Sequence, residues 1–370
     1  MLQELYVNNY KCLVNFTLPI QNINLILGGN GSGKSTVFEV LSKLQMFITG
    51  IDRSVLTKIF SSDTLTKWQT TPLQHFELKV AVLNRLYHYK LIIEHNNHKQ
   101  LCRVQREQLS VDGNPLFEFE NGTARLFHDD FTKGPEYPFD WTQSGLASLQ
   151  ARPDNQLLTL FKQQISSMVI VRPNPVLMVS ESTSEEKFLS NSADNFASWY
   201  RFLSQENQAG IFELTSALRT IIDGFHSFRL KESGEETKSL QVAFSSENDE
   251  LIYYKFKELS DGQRMIILLY TLLFSINQKE SCLCIDEPEN FLALPEIQPW
   301  LRTLLDICQE RDIQAILVSH HPEIINYLGS DSGCWFERSP NGATRMQQIH
   351  ETGEQGITLS ELIARGWLHE

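Results

Sequence analysis

The chain has few cysteines, and none is spaced for a metal site. Six occur among 370 residues: Cys12, Cys102, Cys282, Cys284, Cys308 and Cys334. No two follow the Cys-x2-Cys spacing typical of zinc sites, so a zinc-stapled domain is not expected. Cys282 and Cys284 lie in an apolar run, where a strand would place both on one face. This pattern predicts buried free thiols.

Long apolar runs are also missing. No stretch approaches the roughly 18–20 apolar residues that span a bilayer. The first residues, 1–6, lack the basic region and apolar core of a signal peptide. We therefore expect a cytoplasmic protein with no membrane partner.

Excess positive charge is the third absence. The formal net charge is −13, from 32 Lys and Arg against 45 Asp and Glu. This balance excludes a uniformly basic nucleic-acid surface and disfavours tight, non-specific DNA binding, although it leaves a local basic groove open. The remaining composition, 41% hydrophobic and 21% charged, is that of a globular protein, and the length allows one large domain or two modest ones.

A glycine-rich segment carries the first chemical signal. Gly28-Gly29-Asn30-Gly31-Ser32-Gly33-Lys34-Ser35 matches the P-loop pattern and follows the apolar run Ile23–Leu27. Apolar residues then recur at helical spacing, so the loop is predicted to join a strand to a helix. Such a loop wraps phosphates with backbone N–H groups, and the helix N-terminus adds its dipole. Lys34 is expected to reach the β- and γ-phosphates of ATP, and Ser35 to bind Mg²⁺. The predicted nucleotide-binding residues of this segment are Asn30, Gly31, Ser32, Gly33, Lys34, Ser35 and Thr36.

A second apolar run, Cys282–Ile285, ends in two carboxylates, Asp286 and Glu287. The carboxyl end of a strand in a parallel sheet is where α/β proteins bind ligands. Asp286 is predicted to hold Mg²⁺ and Glu287 to polarise the attacking water. The alternative is that the two acids simply end a strand at the protein surface and have no catalytic role. The intact P-loop in the same chain disfavours this alternative.

Two further segments each allow a plain and a functional interpretation. In Leu259–Gln263, Ser260 and Gln263 form a capping box that could simply start a helix, or that helix start could bind a phosphate held by another protomer. His320 follows the apolar run Ala315–Val318 and is either a satisfied bystander or a sensor of the γ-phosphate. The order of the motifs along the chain favours the functional interpretation of both.

The periodicity predicts an α/β fold with insertions. Alternating runs from Phe76 to Phe127, with turns at Asp112-Gly113 and Asn121-Gly122, predict an antiparallel β-meander. Ser192–Phe228 is predicted to be helical, and residues 240–256 to form a hairpin. Buried strands at Cys282–Ile285 and Ala315–Val318 flank a helix, which indicates a parallel sheet. No heptad pattern persists, so long coiled-coil arms are not expected.

In this order, the motifs resemble the ABC ATPase series. Asn9-Tyr10-Lys11, Leu259–Arg264 and Asp286-Glu287-Pro288-Glu289-Asn290-Phe291-Leu292 are similar to the small bacterial AAA ATPases of the RecF/OLD type, within the ABC/SMC-type P-loop family. Members of that family are often encoded beside an effector in phage-defence and toxin-like operons. The resemblance implies an ABC-type head with a parallel core sheet, an antiparallel β-meander lobe and an inserted helical lid subdomain. The implied divisions are 1–150 and 239–370 for the two parts of the head and 151–238 for the lid.

The same resemblance assigns roles to further residues. It implies that Lys11 lies near the adenine or its phosphates, that His320 is the switch histidine, and that Ser260, Gly262 and Gln263 act on the ATP of a partner protomer. Three departures stand out. Asp261 replaces a glycine of the common signature, and Ala293-Leu294-Pro295 lacks the histidine common before that proline. The glutamine of the Q-loop is ambiguous between Gln143 and Gln150.

The sequence therefore predicts an ATPase that uses ATP and Mg²⁺ at a head-to-tail interface in a homodimer or higher homo-oligomer. Its expected role is to gate or assemble an effector protein from a neighbouring gene, in bacterial anti-phage defence. Two alternatives remain: a RecF-like DNA-binding repair clamp, and an ATPase with intrinsic nuclease activity through a Glu-x-Lys triplet such as Glu77-Leu78-Lys79.

Overall fold

The structure is a computed structural model that describes residues 1–51, 56–96, 99–248, 250–276, 281–340, 342–349 and 357–366. Its strands are β1 (Leu2–Asn8), β2 (Phe16–Pro19), β3 (Ile23–Gly28), β4 (Leu73–Val82), β5 (Arg85–Asn96), β6 (Leu101–Val111), β7 (Asn114–Glu120), β8 (Thr123–Phe127), β9 (Lys133–Pro138), β10 (Val169–Val171), β11 (Glu181–Ser182), β12 (Phe225–Glu232), β13 (Lys238–Ser245), β14 (Leu251–Lys255), β15 (Cys282–Asp286), β16 (Gln314–Val318), β17 (Gly333–Arg338) and β18 (Thr344–Gln348). Its helices are α1 (Lys34–Thr49), α2 (Leu56–Ile59), α3 (Gly145–Ser148), α4 (Gln156–Ser166), α5 (Phe196–Glu206), α6 (Gln208–Ile221), α7 (Asp261–Ser275), α8 (Leu294–Arg311), α9 (Pro322–Ser332) and α10 (Leu359–Arg365).

The P-loop strand lies in the middle of a six-stranded core sheet. The strand order is β10-β15-β16-β3-β17-β18, and every neighbouring pair is parallel except β17 and β18. Every residue of β15 and β16 is buried, as expected for strands covered on both faces. The predicted parallel sheet, assembled from both ends of the sequence, is confirmed.

Successive residues of the core strands face two different hydrophobic cores. Cys282 and Cys284 point into the core shared with α1 and the meander, whereas Leu283 and Ile285 point into the core shared with α7, α8 and α9. This alternation follows from the period of two in a strand. The Sγ atoms of the two cysteines are 3.7 Å apart, and both thiols are free and buried, as predicted. The other four cysteines are also free and buried.

The meander is an eight-stranded antiparallel sheet in the order β2-β1-β4-β5-β6-β7-β8-β9. Both predicted hairpin turns are present, because Asp112-Gly113 joins β6 to β7 and Asn121-Gly122 joins β7 to β8. All four turn residues have positive φ, which Asn, Asp and Gly tolerate better than other residues do. The apolar face of the meander packs against α1, the helix that follows the P-loop.

The segment Ser192–Phe228 was predicted to be helical throughout, but its last helix ends before Phe228. Helix α6 stops at Ile221, and Phe225 begins strand β12, which pairs with β13 in a third sheet that also contains β11 and β14. Gly224, at φ 74°, allows the reversal between the helix and the strand. The helical prediction for residues 225–228 was therefore wrong. In α5, which is helical as predicted, Phe196, Trp199 and Tyr200 are buried.

The predicted divisions at residues 150 and 238 stay a prediction. Two strands within 151–238 do pair outside that range: β10 with β15 of the core sheet, and β12 with β13. The segment therefore contributes to the sheets as well as carrying helices α4, α5 and α6.

Candidate nucleotide site

The loop between β3 and α1 has the close packing that requires glycine. A Cβ on Gly28 would lie 2.2 Å from the Phe336 carbonyl oxygen, and Gly28 has φ 142°. A Cβ on Gly33, at φ 104°, would lie 2.8 Å from Thr344 Oγ1. Gly33 is the N-cap of α1 and offers no side-chain cap, so the first N–H groups of the helix are left for a ligand. This geometry suits an anion such as phosphate.

Lys34 is folded onto this loop. Its Nζ donates to the carbonyl oxygens of Gly28 at 2.7 Å and Gly29 at 3.0 Å. Burial lowers the pKa of Lys34, and the negative charges of Asp286 and Glu287 partly oppose that shift. The ammonium is thus held over the loop next to two acids, where phosphate oxygens could replace the carbonyls as its partners.

Asp286 lies at the carboxyl end of β15, close enough to the Ser35 side chain for that hydroxyl to influence its pKa. Burial is the largest influence on Asp286 and raises its pKa, whereas Ser35 and the charge of Arg172 lower it. Its Oδ1 is buried and has no hydrogen-bond partner within the described part of the chain. A buried carboxylate oxygen without a partner, beside a serine hydroxyl, is the hard oxygen donor set that Mg²⁺ prefers. The two residues therefore fit the metal that the sequence predicts.

Glu287 is held at the cavity in a strained backbone conformation, with φ 57°. Its N–H donates to the Val318 carbonyl at 2.8 Å, which ties it to the end of β16. Asn290 Nδ2 donates to Glu287 Oε2 at 3.0 Å, so the carboxylate is oriented from one side. A carboxylate held rigidly at a cavity wall can position a water molecule.

His320 lines the same cavity just beyond β16. Its backbone N–H donates to Glu289 Oε1 at 3.1 Å, and Ser319 Oγ donates to the same oxygen at 2.7 Å. Burial lowers the pKa of His320, and the charge of Lys34 lowers it further, although three acids oppose both effects. The imidazole is consequently neutral at pH 7, with one nitrogen free to donate.

Arg172 is a site residue that the sequence interpretation missed. It follows β10, the neighbour of β15, and its Nη2 lies 3.5 Å from Glu287 Oε2 and its Nε 3.8 Å from Asp286 Oδ2. The available signal was the short apolar run Val169–Val171, which ends in a charged residue as β15 does. Gln143 and Gln150, the two candidates for the Q-loop, are not among the residues that line the cavity.

The segment Leu259–Arg264, here called the signature segment, does not line the nucleotide cavity of its own chain. Ser260 Oγ accepts from the Gln263 N–H at 3.2 Å, and the Ser260 N–H donates to Gln263 Oε1 at 3.1 Å, so the capping box exists. Neither Ser260, Gly262 nor Gln263 is among the cavity-lining residues. A Cβ on Gly262 would lie 2.8 Å from the Phe291 carbonyl oxygen. Arg264 is buried behind the segment, pairs with Asp261 and donates to the Pro175 carbonyl.

The cavity measures ≈ 590 Å³, a size typical of ligand pockets. It brings together P-loop residues, Glu287 and His320 from the predictions, and Lys11, which has φ 49° and pairs with Glu39. Six further residues, which no sequence motif predicts at the site, also line the cavity: Asp63, Leu65, Lys67, Trp68, Arg172 and Arg338. The loop that holds four of them follows α2 and carries no recognisable motif.

This fold, with a P-loop at the centre of a mostly parallel core sheet, defines the chain as an α/β protein of the P-loop class. Sequence profiles of two families match, "AAA ATPase domain" over residues 1–103 and "AAA domain, putative AbiEii toxin, Type IV TA system" over residues 114–326. The second match spans more than half of the chain, so the chain belongs to that AAA domain family. No curated protein sequence matches the chain significantly.

Two solved structures are similar to the chain. The Smc head domain of Pyrococcus furiosus, solved with an extended coiled coil bound to the C-terminal domain of ScpA, has a TM-score of 0.53 at 9% identity, over 94% of this chain and 96% of that chain. The SMC head domain of Thermotoga maritima has a TM-score of 0.49 at 13% identity, over 94% of this chain and 98% of that chain. The similarity to the Pyrococcus domain supports the ABC-type head fold alone. In the described residues, no helix combines the length and apolar character needed to cross a bilayer.

Proposed function

We propose that this protein binds and hydrolyses ATP with Mg²⁺ and acts as an ATP-driven switch. The observation that carries the proposal is the juxtaposition of Ser35 and Asp286 beside Lys34, where the buried Oδ1 of Asp286 has no hydrogen-bond partner among the described residues. Asn30, Gly31, Ser32, Gly33 and Thr36 would complete the phosphate cradle. Bound Mg²⁺ would neutralise charge on the β- and γ-phosphates.

Each side chain at the cavity has a separate task in the proposed reaction. Lys34 exchanges the Gly28 and Gly29 carbonyls for phosphate oxygens. Glu287 orients a water molecule in line with the γ-phosphate, and the neutral imidazole of His320 donates a hydrogen bond to that group. Positioning and charge stabilisation account for most of the catalysis in phosphoryl transfer, so rigid placement of these groups is what the reaction needs.

The proposal includes a second copy of the chain. Ser260, Gly262 and Gln263 do not line their own cavity, although the start of α7 is a partly exposed helix N-terminus capable of binding an anion. In a head-to-tail homodimer, each α7 would meet the γ-phosphate on the opposite P-loop. ATP would hold the two heads together, and hydrolysis would release them.

For the biological setting, we propose a cytoplasmic switch that gates an effector protein from a neighbouring gene in anti-phage defence. The family description names a toxin of a toxin–antitoxin system, which supports an effector-linked role. The alternative of a RecF-like DNA clamp is opposed by the net charge of −13. The intrinsic-nuclease alternative is weakened at Glu77, whose carboxylate is occupied by His75 and His88, while Lys79 pairs with Glu4.

The test is steady-state hydrolysis together with sedimentation velocity in Mg²⁺ and ATP. Glu287→Gln should lower the turnover rate about 100- to 1,000-fold while retaining ATP, and it should sediment as a dimer only when ATP is present. Glu206→Gln, at the exposed end of α5, is the matched control and should behave like the wild type. Equal hydrolysis by wild type and Glu287→Gln would refute the catalytic assignment, and a monomer at saturating ATP would refute the dimer. Hydrolysis of DNA by the same preparations would restore the nuclease alternative.

A further inference from the structure

A tryptophan and an arginine face each other at the wall of the nucleotide cavity. The Arg338 guanidinium carbon lies 5.4 Å from the centre of the Trp68 ring, and both residues line the cavity. Trp68 is 40% exposed, so the indole is not part of a core. An exposed aromatic ring beside a guanidinium is a surface on which planar groups stack.

Arg338 connects this pair to the P-loop. It ends β17, the parallel neighbour of the P-loop strand β3, and its Nη1 donates to the Gly31 carbonyl at 3.4 Å. Its Nε donates to the Gly342 carbonyl at 2.9 Å, which fixes the guanidinium from a second side. The guanidinium of Arg338 is therefore in contact with the loop that is predicted to bind phosphates.

The loop that carries Trp68 is also fixed in place. The Lys11 N–H donates to the Thr64 carbonyl at 2.7 Å, and the Thr66 N–H donates to Asn9 Oδ1 at 3.2 Å. Leu65 forms a bridge with Tyr10, which is fully buried. These bonds tie residues 64–66 to the segment before β2, so Trp68 is presented by an anchored loop.

We infer that Trp68 and Arg338 form the platform on which the purine base of the nucleotide stacks, with Leu65 as an apolar contact. The inference rests on the proposed ATP site and names its base-binding end. Asp286 and Ser35 suit Mg²⁺ and the terminal phosphates, whereas the ring face of Trp68 and the side chain of Leu65 are apolar surfaces that suit a base better than a phosphate chain. Stacking accepts any purine, so this platform supplies affinity for the base rather than discrimination between ATP and GTP.

The experiment compares ATP with inorganic tripolyphosphate, which has the phosphates without the base. Their affinities for the full chain are measured in Mg²⁺ by titration calorimetry. Trp68→Ala should weaken ATP binding about 10- to 100-fold, since stacking on an aromatic side chain is worth about 1–3 kcal/mol and 1.4 kcal/mol is tenfold. Tripolyphosphate should bind the variant as it binds the wild type. Trp68→Phe keeps an aromatic face and should recover most of the ATP affinity.

Trp141 provides the matched control. It is 50% exposed and lies under Arg103, whose guanidinium carbon is 5.6 Å from the ring centre, but it does not line the cavity. Trp141→Ala should leave both affinities unchanged. Unchanged ATP affinity in Trp68→Ala would overturn the platform alone, as would an equal loss for ATP and tripolyphosphate, which would indicate a structural defect. If the wild type binds neither compound, the proposed ATP site itself fails.

Discussion

The Ser35 side chain lies close enough to the carboxylate of Asp286 to lower its pKa, although the two residues belong to opposite ends of the sequence. Strand β16 lies between their strands in the sheet, parallel to both β3 and β15, and so aligns the carboxyl ends of all three. Because the ends are aligned, the start of α1 faces the acid at the end of β15. The proposed metal site is thus a consequence of strand order.

Asp286→Asn should abolish the magnesium dependence of nucleotide binding. The amide keeps the shape of the side chain but removes the charge beside Ser35, so ATP should bind about 10- to 100-fold more weakly in Mg²⁺. Without Mg²⁺, the variant and the wild type should bind ATP about equally. Calorimetric titrations with and without EDTA measure both conditions. An Asn variant that retains the full magnesium effect would show that the metal is held elsewhere.

Arg172→Ala should change how nucleotide binding depends on pH. The charge of Arg172 lowers the pKa of Asp286, which burial raises, so its removal raises that pKa further. Mg²⁺ needs the ionised carboxylate, and its apparent affinity therefore falls as pH falls through this pKa. In the variant, the fall should begin at a higher pH than in the wild type. Magnesium titrations of ATP binding between pH 5 and pH 8 compare the two.

Arg172→Lys is the companion variant because it keeps the positive charge and loses the fork that reaches both Asp286 and Glu287. Arg172→Lys should bring the pH dependence of ATP binding in Mg²⁺ closer to that of the wild type than it brings the rate of ATP hydrolysis. Superimposable pH profiles for the wild type and the alanine variant would contradict the electrostatic role of Arg172.

Two inactive variants should complement each other if the heads pair head to tail. Lys34→Ala damages the P-loop, whereas Ser260→Arg damages only the segment that serves the partner, because Ser260 does not line its own cavity. A mixed dimer then holds one complete site. An equal mixture should hydrolyse ATP at about a quarter of the wild-type rate if subunits exchange freely. A mixture no more active than its two components would argue against sites that are shared between protomers.

Glu77 should make the meander sensitive to acid. Burial raises the pKa of Glu77, but hydrogen bonds from His75 and His88 and the charge of Lys90 together outweigh it, so the folded-state pKa lies below the usual 4.5. A carboxyl group with a lowered folded-state pKa stabilises the fold above pH 4.5 and loses that contribution as pH falls towards the folded-state value. Glu77→Gln should therefore cost about 2 kcal/mol in free energy of unfolding at pH 7, and less at pH 3.

Urea denaturation at the two pH values measures this difference. Glu94→Gln is the control. Glu94 lies on β5, is more exposed than Glu77 and pairs with Arg103 of β6, so its loss should lower the free energy of unfolding by well under 1 kcal/mol. A cost for Glu77→Gln that is the same at pH 3 and pH 7 would contradict the linkage.

The parts of the molecule that depend on local sequence patterns, such as a motif, a turn or a regular spacing of apolar residues, could be predicted from the sequence. The P-loop and its helix, strands β15 and β16, and the hairpin turns at Asp112-Gly113 and Asn121-Gly122 each depend on local patterns, and the structure confirms them. The prediction of a helix as far as Phe228 failed because pairing with β13, which is distant in sequence, determines the conformation of that segment.

The cavity wall was predictable only in part. Trp68 and Arg338 belong to segments with no common pattern, and only the parallel pairing of β17 with β3 brings Arg338 to the P-loop. Arg172 likewise reaches the acids because a three-residue strand, β10, is placed beside β15 by the rest of the sheet. Such contacts depend on strand order, which a single sequence does not state.

The most direct test of the whole account is the affinity of the purified chain for ATP in Mg²⁺, measured by calorimetry for the wild type and for Lys34→Ala. The Nζ of Lys34 lies over the loop that would hold the phosphates, so its loss removes a charge-assisted contact to them. We expect one ATP per chain for the wild type and at least about a 100-fold weaker affinity for the variant. Equal affinity in the two proteins, or a wild type that does not bind ATP, would contradict the account.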